Sequence, residues 1–199
     1  EIALAHLADK RYGAVYFIGP RGRDAAFFER VTADDAPLER AEAVVCTGLN
    51  DDVNETVESY RDVLAHARAR GLLFVCANPD LEVIRGGVRV ICAGALAQKY
   101  AAMGGDVRSL GKPDPAIYPT VFDMLGIADR RRILAVGDAL RTDIAGATAA
   151  GIDGAWVIGG IHAEELGAVN GTLPPAEVLE RAAAAQRLKP VAALPAFVW

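Results

Sequence analysis

The sequence has few cysteines and histidines, and they form no recognisable cluster. Its 199 residues include three cysteines, Cys46, Cys76 and Cys92, with no C-x-x-C pair. This odd, unpaired set provides neither a disulfide framework nor a cysteine-based zinc site. The three histidines are equally scattered. We therefore expect buried free thiols in a reducing, cytoplasmic compartment.

The sequence also lacks long apolar runs and several well-known glycine motifs. No apolar run approaches the roughly 20 residues that span a bilayer. The motifs G-x-x-x-x-G-K-[ST], G-x-G-x-x-G and G-x-S-x-G are absent, which argues against a P-loop NTPase, a Rossmann dehydrogenase and a serine hydrolase. The formal net charge is -5, and the basic loop "IGPRGRD" (18–24) stands alone. We therefore expect no membrane and no nucleic acid among the partners.

Short apolar strands alternate with helical segments along the chain. Strands are predicted at 14–19, 43–48, 72–77, 88–93, 133–137 and 154–160. Helices are predicted at 52–70, 94–105, 114–126, 142–151 and 176–186. The strand "ILAVG" (133–137) is almost entirely apolar, as expected when both faces of a sheet are covered. The alternation predicts an α/β fold with a doubly wound parallel sheet.

Two carboxylates occur in "GDALRTDIAGA" (137–147), directly after an apolar strand. Ligands of doubly wound sheets bind beyond the carboxyl ends of the strands, where Asp138 lies. Asp143 follows five residues later, so a loop and not a shared helix face brings the two together. Such a pair suits Mg²⁺, which takes one or two protein carboxylates with water and phosphate oxygens. The alternative is structural, with Asp143 capping a helix and Asp138 forming a turn.

A lysine occurs in the preceding loop, "LGKPDPAIY" (110–118). Lys112 comes just before a predicted helix N-terminus, where backbone N–H groups and the helix dipole favour an anion. Its ammonium group suits a phosphate and the charge of its transition state. An ordinary surface lysine is the alternative. The lysine loop followed by the paired-aspartate loop indicates a phosphate and magnesium site.

These loops resemble those of a known family. "GKPDPAIY" and the stretch "ILAVGDALRTDIAGATAAGIDGAWVIGG" resemble motifs III and IV of the haloacid dehalogenase-like phosphatases. "FVCANPDLEV" (74–83) resembles the Asn-Pro-Asp segment of subclass IIA, the p-nitrophenyl phosphatase type. The resemblance runs from about Tyr12 to Gly167. It implies a Mg²⁺-dependent phosphatase that hydrolyses a small phosphomonoester, such as a sugar phosphate, phosphoglycolate or a nucleotide, through an aspartyl-phosphate.

The resemblance also implies roles for individual residues. Lys112 would bind the transferring phosphoryl group, and Asp138 would ligate Mg²⁺. Asp143 would orient Asp138 or a metal-bound water. Asn78 and Asp80 would face the substrate from a cap loop, although Asn-Pro-Asp also makes a plain turn after a strand.

The resemblance further implies a domain organisation. This subclass carries an α/β cap of the C2 type, inserted before the lysine motif. Residues 11–108 match that cap, so residues 1–10 and 109–199 would belong to the Rossmann-like core. Caps of this subclass often mediate dimers, which makes a homodimer through the cap a further expectation.

The family's nucleophile motif is absent from the sequence. The family carries Asp-x-Asp after its first strand, and the first aspartate attacks phosphorus. The pairs Asp34–Asp35 and Asp51–Asp52 have a different spacing, and the two serines, Ser59 and Ser109, form no phosphate-binding motif. We therefore expect the N-terminal core segment to lie outside these residues, supplied by the same or another chain. The 199 residues alone are expected to show no turnover.

Two other interpretations are open. The chain could be a catalytically inactive module of the same fold that binds a phosphorylated ligand without hydrolysing it. Alternatively, Cys76 could act as a nucleophile with His66 or His162 as its base. Binding without turnover in an intact protein would favour the first.

Overall fold

Strands and helices alternate along the chain, as the sequence predicts. The structure is a computed structural model and describes residues 2–10, 12–169 and 171–198. The strands are β1 (Ala14–Ile18), β2 (Asp34–Asp35), β3 (Ala43–Cys46), β4 (Leu73–Cys76), β5 (Glu82–Arg85), β6 (Val88–Ile91), β7 (Val107–Ser109), β8 (Leu134–Gly137), β9 (Asp153–Val157) and β10 (Ala192–Leu194). The α-helices are α1 (Ile2–Lys10), α2 (Ala25–Phe28), α3 (Arg61–Ala69), α4 (Ala93–Ala102), α5 (Tyr118–Leu125), α6 (Ala145–Ala150) and α7 (Ala176–Ala185). Within the described residues, no helix is both long and apolar enough to cross a membrane.

The chain divides into two compact units, Glu1–Gly111 and Lys112–Trp199. The division falls three residues beyond the end of the predicted cap at residue 108. Helix α1 belongs to the first unit, where Ala3 and Leu7 pack against Val15 and its neighbours. The resemblance instead implies that residues 1–10 belong with the second unit. An apolar helix face packs against the apolar surface that the fold places beside it, and the local sequence does not indicate which surface that is.

The first unit is built on a parallel sheet with the strand order β2-β1-β3-β4-β7. Alternate residues of the strands face opposite sides of the sheet. Val44 packs with residues of α3 and α4 such as Leu64 and Leu96. Its neighbour Val45 belongs to a second cluster that contains Leu7 of α1. Helices therefore cover both faces, which confirms the predicted doubly wound α/β arrangement.

Two segments of the first unit differ from the prediction. The strand predicted at 88–93 exists as β6, but it pairs with β5 in an antiparallel hairpin rather than in the parallel sheet. Gly86 and Gly87 have positive φ angles, which two-residue hairpin turns require. The helix predicted from residue 52 begins later, because Asp51 Oδ1 accepts hydrogen bonds from Val53 N–H at 3.0 Å and Asn54 N–H at 3.2 Å and forms a turn. A 3₁₀ turn at Val57–Tyr60 then leads into α3.

The second unit contains a parallel sheet with the order β10-β9-β8. Its core consists of Trp156 and Ile158 packed with residues from the loop after β8 and from α7. Asp114 caps a 3₁₀ turn by accepting a hydrogen bond from Ala116 N–H at 2.9 Å, and α5 follows, as the sequence predicts. The helices α5 and α6 both end at a left-handed glycine, Gly126 and Gly151.

Strand β8 is more exposed than predicted. Its apolar composition indicated a strand covered on both faces, but Leu134 and Val136 are 52% and 39% exposed. Among the described residues, β8 pairs with β9 alone. Helix α5 also presents exposed apolar side chains, including Met124 at 81%. The second unit therefore has an open sheet edge and apolar surface that its own residues leave uncovered.

Candidate active site

Lys112 and Asp143 form an ion pair in the second unit. Lys112 Nζ lies 2.5 Å from Asp143 Oδ1. The Asp143 side chain is 11% exposed, whereas Lys112 is 40% exposed. The lysine loop and the paired-aspartate loop therefore meet, although 31 residues separate the two side chains. This juxtaposition orients an ammonium group that solvent can still reach.

Asp143 also organises the turn that follows β8. Its Oδ2 accepts a hydrogen bond from Ala139 N–H at 3.1 Å, and its own N–H donates to the carbonyl of Ala139 at 2.8 Å. Ile144 N–H donates to the same carbonyl at 3.3 Å, which makes Leu140–Ile144 a π-helical turn. Such turns occur often at functional sites. The carboxylate of Asp143 thus links the lysine loop to the backbone beside Asp138.

Asp138 lies directly after β8 and is held at its carbonyl and its carboxylate. Its backbone carbonyl accepts a hydrogen bond from Trp156 Nε1 at 3.0 Å. Its Oδ2 accepts one from Ile161 N–H at 3.0 Å. A carboxylate has about four lone-pair sites, so Asp138 keeps capacity for a further ligand. Hydrogen bonds from the fold therefore orient both carboxylates of the pair.

Gly160 lies so close to Asp138 that its lack of a side chain leaves the space that the Asp138 carboxylate occupies. A Cβ atom added at Gly160 would overlap the side chain of Asp138. We expect Gly160→Ala to lower the free energy of unfolding by about 1–3 kcal/mol, because Asp138 must move. Chemical denaturation measures this. In Gly22→Ala, the matched control, the new Cβ meets no described atom within 4 Å. Equal stabilities for the two variants would contradict the close approach.

Two residues near these loops were not predicted to belong to this site: His162, which the sequence offered only as a possible base for Cys76, and Tyr118. His162 Nε2 accepts a hydrogen bond from Leu140 N–H at 3.4 Å, and its ring meets Trp156 edge-on at 5.5 Å. Burial, and next the Asp143 charge, raises the pKa of Tyr118, which keeps its phenol neutral. The position of His162 just beyond a strand end was the available signal. Tyr118 gave none beyond its place after Lys112.

Comparison with known proteins agrees with this geometry. Residues 109–185 match the family model described as HAD-hydrolase-like, HAD standing for haloacid dehalogenase. A solved haloacid dehalogenase-like hydrolase from Brucella suis 1330 is 37% identical, with a TM-score of 0.80, and the match covers 99% of this chain and 70% of that one. The chain belongs to the haloacid dehalogenase-like family. The predicted resemblance is thereby confirmed.

Phosphatases occur among the chain's relatives in this haloacid dehalogenase-like family. The D-glycerol 3-phosphate phosphatase of Mycobacterium tuberculosis is 38% identical over 94 residues, which are 46% of this chain and 26% of that protein. A glycerol phosphate phosphatase from Mycobacterium tuberculosis, solved in complex with calcium, is 27% identical with a TM-score of 0.57 and matches 80% of this chain and 47% of that one. The chain thus spans about a quarter of the curated phosphatase and about half of the calcium complex. A solved p-nitrophenyl phosphatase from Archaeoglobus fulgidus shares the fold at 21% identity, with a TM-score of 0.67.

The side chains of this haloacid dehalogenase-like chain that could hold a metal ion offer oxygen atoms. Asp138 and Asp143 carry hard carboxylate oxygens of the kind that Mg²⁺ prefers. Both oxygens of Asp143 already accept hydrogen bonds, one from Lys112 and one from Ala139. Within residues 2–10, 12–169 and 171–198, no group of three or more His, Cys, Asp or Glu residues could hold a metal. The residues fit a Mg²⁺ ion that takes its remaining ligands from water, phosphate or residues beyond these.

Asn78 and Asp80 lie in the first unit, in the loop after β4. Asp80 N–H donates to Asn78 Oδ1 at 3.3 Å, and the Asp80 carbonyl accepts from Gly94 N–H at 3.1 Å. The segment is therefore a turn joined to the start of α4, as the structural alternative described. It also occupies the carboxyl end of a parallel sheet, where ligands of such folds bind.

The structure argues against Cys76 as a nucleophile. Burial raises the pKa of Cys76 to about 12, and its thiol donates to the carbonyl of Asn78 at 3.3 Å. Only about one thiol in 10⁴ would then be ionised at pH 8, whereas nucleophilic attack needs the thiolate. The alternative of a Cys76 nucleophile with His66 or His162 is therefore dropped.

The cysteines yield a direct prediction about reactivity. Cys46, Cys76 and Cys92 are all buried free thiols, and burial raises the pKa of each. We expect the native protein at pH 8 to react with Ellman's reagent at least about 100-fold more slowly than the protein unfolded in guanidinium. The unfolded sample serves as the control. Rapid labelling of a native cysteine would contradict the described burial.

Proposed function

We propose that this chain forms part of a Mg²⁺-dependent phosphoric monoester hydrolase. The observation that carries the proposal is the Lys112–Asp143 ion pair beside the oriented Asp138. The relatives named above, which include phosphatases, support it. The substrate class is a small phosphorylated metabolite.

Each of these residues has a proposed role. Lys112 binds the transferring phosphoryl group, because its ammonium is both oriented and partly exposed. Asp143 holds Lys112 and the turn, a role that its two hydrogen-bonded oxygens support better than contact with the metal. Asp138 ligates Mg²⁺. When bound, Mg²⁺ supplies positive charge that polarises the phosphoryl oxygens.

The open edge of β8 supports a further proposal about the nucleophile. The sequence contains no Asp-x-Asp. We propose that an apolar strand pairs with β8 in parallel and carries the attacking aspartate to the end of the sheet beside Asp138. Exposed Leu134, Val136 and Met124 would be covered by that strand and the helix that follows it. The relative from Brucella suis, of which this chain covers 70%, has the additional length.

The first unit is proposed to be the cap that selects the substrate. Its loop at Asn78 and Asp80 follows a parallel strand and places an amide and a carboxylate at a strand end. A homodimer through this unit stays a prediction. The buried free thiols support a reducing, cytoplasmic location.

A second candidate function is a module that binds a phosphorylated ligand without hydrolysing it. The absence of Asp-x-Asp from the sequence favours it. Such a module would keep the Lys112 and Asp138 loops and bind phosphate and Mg²⁺ with the same residues.

One set of measurements separates the two candidates. Mg²⁺ and inorganic phosphate are titrated calorimetrically into the full-length protein, and p-nitrophenyl phosphate hydrolysis is assayed with and without Mg²⁺. The hydrolase predicts binding and Mg²⁺-dependent turnover, together with no turnover from the 199 residues alone. Binding without turnover in the full-length protein would establish the module. Absence of Mg²⁺ and phosphate binding would refute both.

A further inference from the structure

The backbone N–H groups of Ala139 and Leu140, which follow Asp138, donate hydrogen bonds to acceptors other than Asp138. Ala139 N–H donates to Asp143 Oδ2 at 3.1 Å. Leu140 N–H donates to His162 Nε2 at 3.4 Å. The Asp138 carboxylate itself turns the other way, to Ile161 N–H at 3.0 Å. Backbone groups beside the carboxylate are thus satisfied from elsewhere in the fold.

These hydrogen bonds prevent Asp138 from forming an Asx-turn, a conformation that aspartate often adopts. An aspartate side chain readily accepts a hydrogen bond from the N–H two residues further on, which forms an Asx-turn. For Asp138 that donor is Leu140 N–H, the same group that His162 engages. Without His162, Leu140 would present an unpaired donor at the start of a helical turn. Asp138 precedes Leu140 by the two residues that an Asx-turn requires.

The ring of His162 is fixed in the orientation that this hydrogen bond requires. Its Nδ1 lies 3.2 Å from Glu165 Oε2, and the tautomer that accepts at Nε2 carries its proton on Nδ1, facing this carboxylate. The side chain is 16% exposed, whereas Glu165 is 75% exposed. The edge of the ring also contacts Trp156, whose indole N–H holds the Asp138 carbonyl. Residues 156–162 therefore contact Asp138 through two hydrogen bonds, from Trp156 and Ile161, and its neighbour Leu140 through His162.

We propose that His162 is a positioning residue for the metal-binding carboxylate of Asp138. By occupying Leu140 N–H, it keeps Asp138 out of an Asx-turn and leaves the carboxylate directed toward its ligand. The inference rests on the proposed Mg²⁺ site. Residues that orient metal ligands in this way typically change metal affinity about 10- to 100-fold when they are removed.

The test compares two substitutions of His162 in the full-length protein. His162→Phe keeps a ring against Trp156 but removes the acceptor, and His162→Gln places an amide oxygen close to the position of Nε2. We expect the Phe variant to raise the Kd for Mg²⁺, measured calorimetrically, about 10-fold or more, and the Gln variant to stay within about 3-fold of the wild type. The thermal midpoints of the two variants should be similar. Hydrogen exchange at Leu140 should accelerate in the Phe variant only.

Three outcomes decide the proposal. An unchanged Kd in His162→Phe, with faster exchange at Leu140, would overturn it and leave His162 a packing residue. A wild-type protein that binds no Mg²⁺ would overturn the proposed function itself, and the inference with it. If His162→Phe does not fold, the exposed Glu165→Ala serves instead, and a Kd that rises several-fold supports the proposal, whereas an unchanged Kd refutes it.

Discussion

If the full-length protein is the proposed phosphatase, replacing Lys112 with alanine is expected to lower its kcat about 10²- to 10³-fold. This is the usual loss when one oriented donor to a charged transition state is removed. Lys112 Nζ is held 2.5 Å from Asp143 Oδ1, so the ammonium is already oriented before substrate binds. The measurement is steady-state hydrolysis of p-nitrophenyl phosphate at saturating Mg²⁺. Lys112→Arg should retain more activity than Lys112→Ala because it keeps the charge.

The fold should tolerate the loss of Lys112. Its side chain is 40% exposed, so the ion pair with Asp143 contributes about 1 kcal/mol or less to stability. Asp143 would still accept the hydrogen bond from Ala139 N–H. Lys189→Ala, an exposed lysine of the second unit, is the matched control and should leave kcat unchanged. Full activity in Lys112→Ala would contradict the role of the lysine in phosphoryl binding.

Replacing Asp138 with asparagine is expected to weaken Mg²⁺ binding about 100-fold or more and to abolish Mg²⁺-dependent turnover. A direct carboxylate ligand should matter at least as much as the residues that orient it. Asparagine can still accept the hydrogen bond from Ile161 N–H, and the contact of Trp156 with the backbone carbonyl does not involve the side chain. Calorimetric titration of Mg²⁺ and the metal dependence of hydrolysis measure the two effects.

The matched control for this variant is Asp153→Asn. Asp153 is an exposed aspartate at the start of β9 in the same unit. Both variants lose one negative charge, so a general change in the electrostatic field would affect them alike. Only Asp138→Asn should lose Mg²⁺ affinity, with a thermal midpoint close to that of the wild type. Undiminished Mg²⁺ affinity in Asp138→Asn would exclude it as a ligand.

Helix boundaries were largely predictable because their signals are local. Asp114 caps the turn before α5, and Gly126 and Gly151 end α5 and α6 in left-handed conformations, as expected from the sequence. The start of α3 was misplaced because the Asp51 turn competes with helix over the preceding residues. The β5–β6 hairpin was missed because only its second strand was predicted, at 88–93, and the four residues of β5 are a short signal on their own.

The sequence by itself determined the α/β class, the parallel sheets and the two loops that carry Lys112, Asp138 and Asp143. Alternating apolar strands, helix caps and motif spacing depend on neighbouring residues, so they can be recognised without coordinates. The tertiary structure alone decided that Lys112 pairs with Asp143, that His162 engages Leu140 N–H and that Leu134 and Val136 remain exposed on β8. Those outcomes depend on contacts between residues about 20 to 30 positions apart and on which strand edges find partners. No local pattern encodes that pairing.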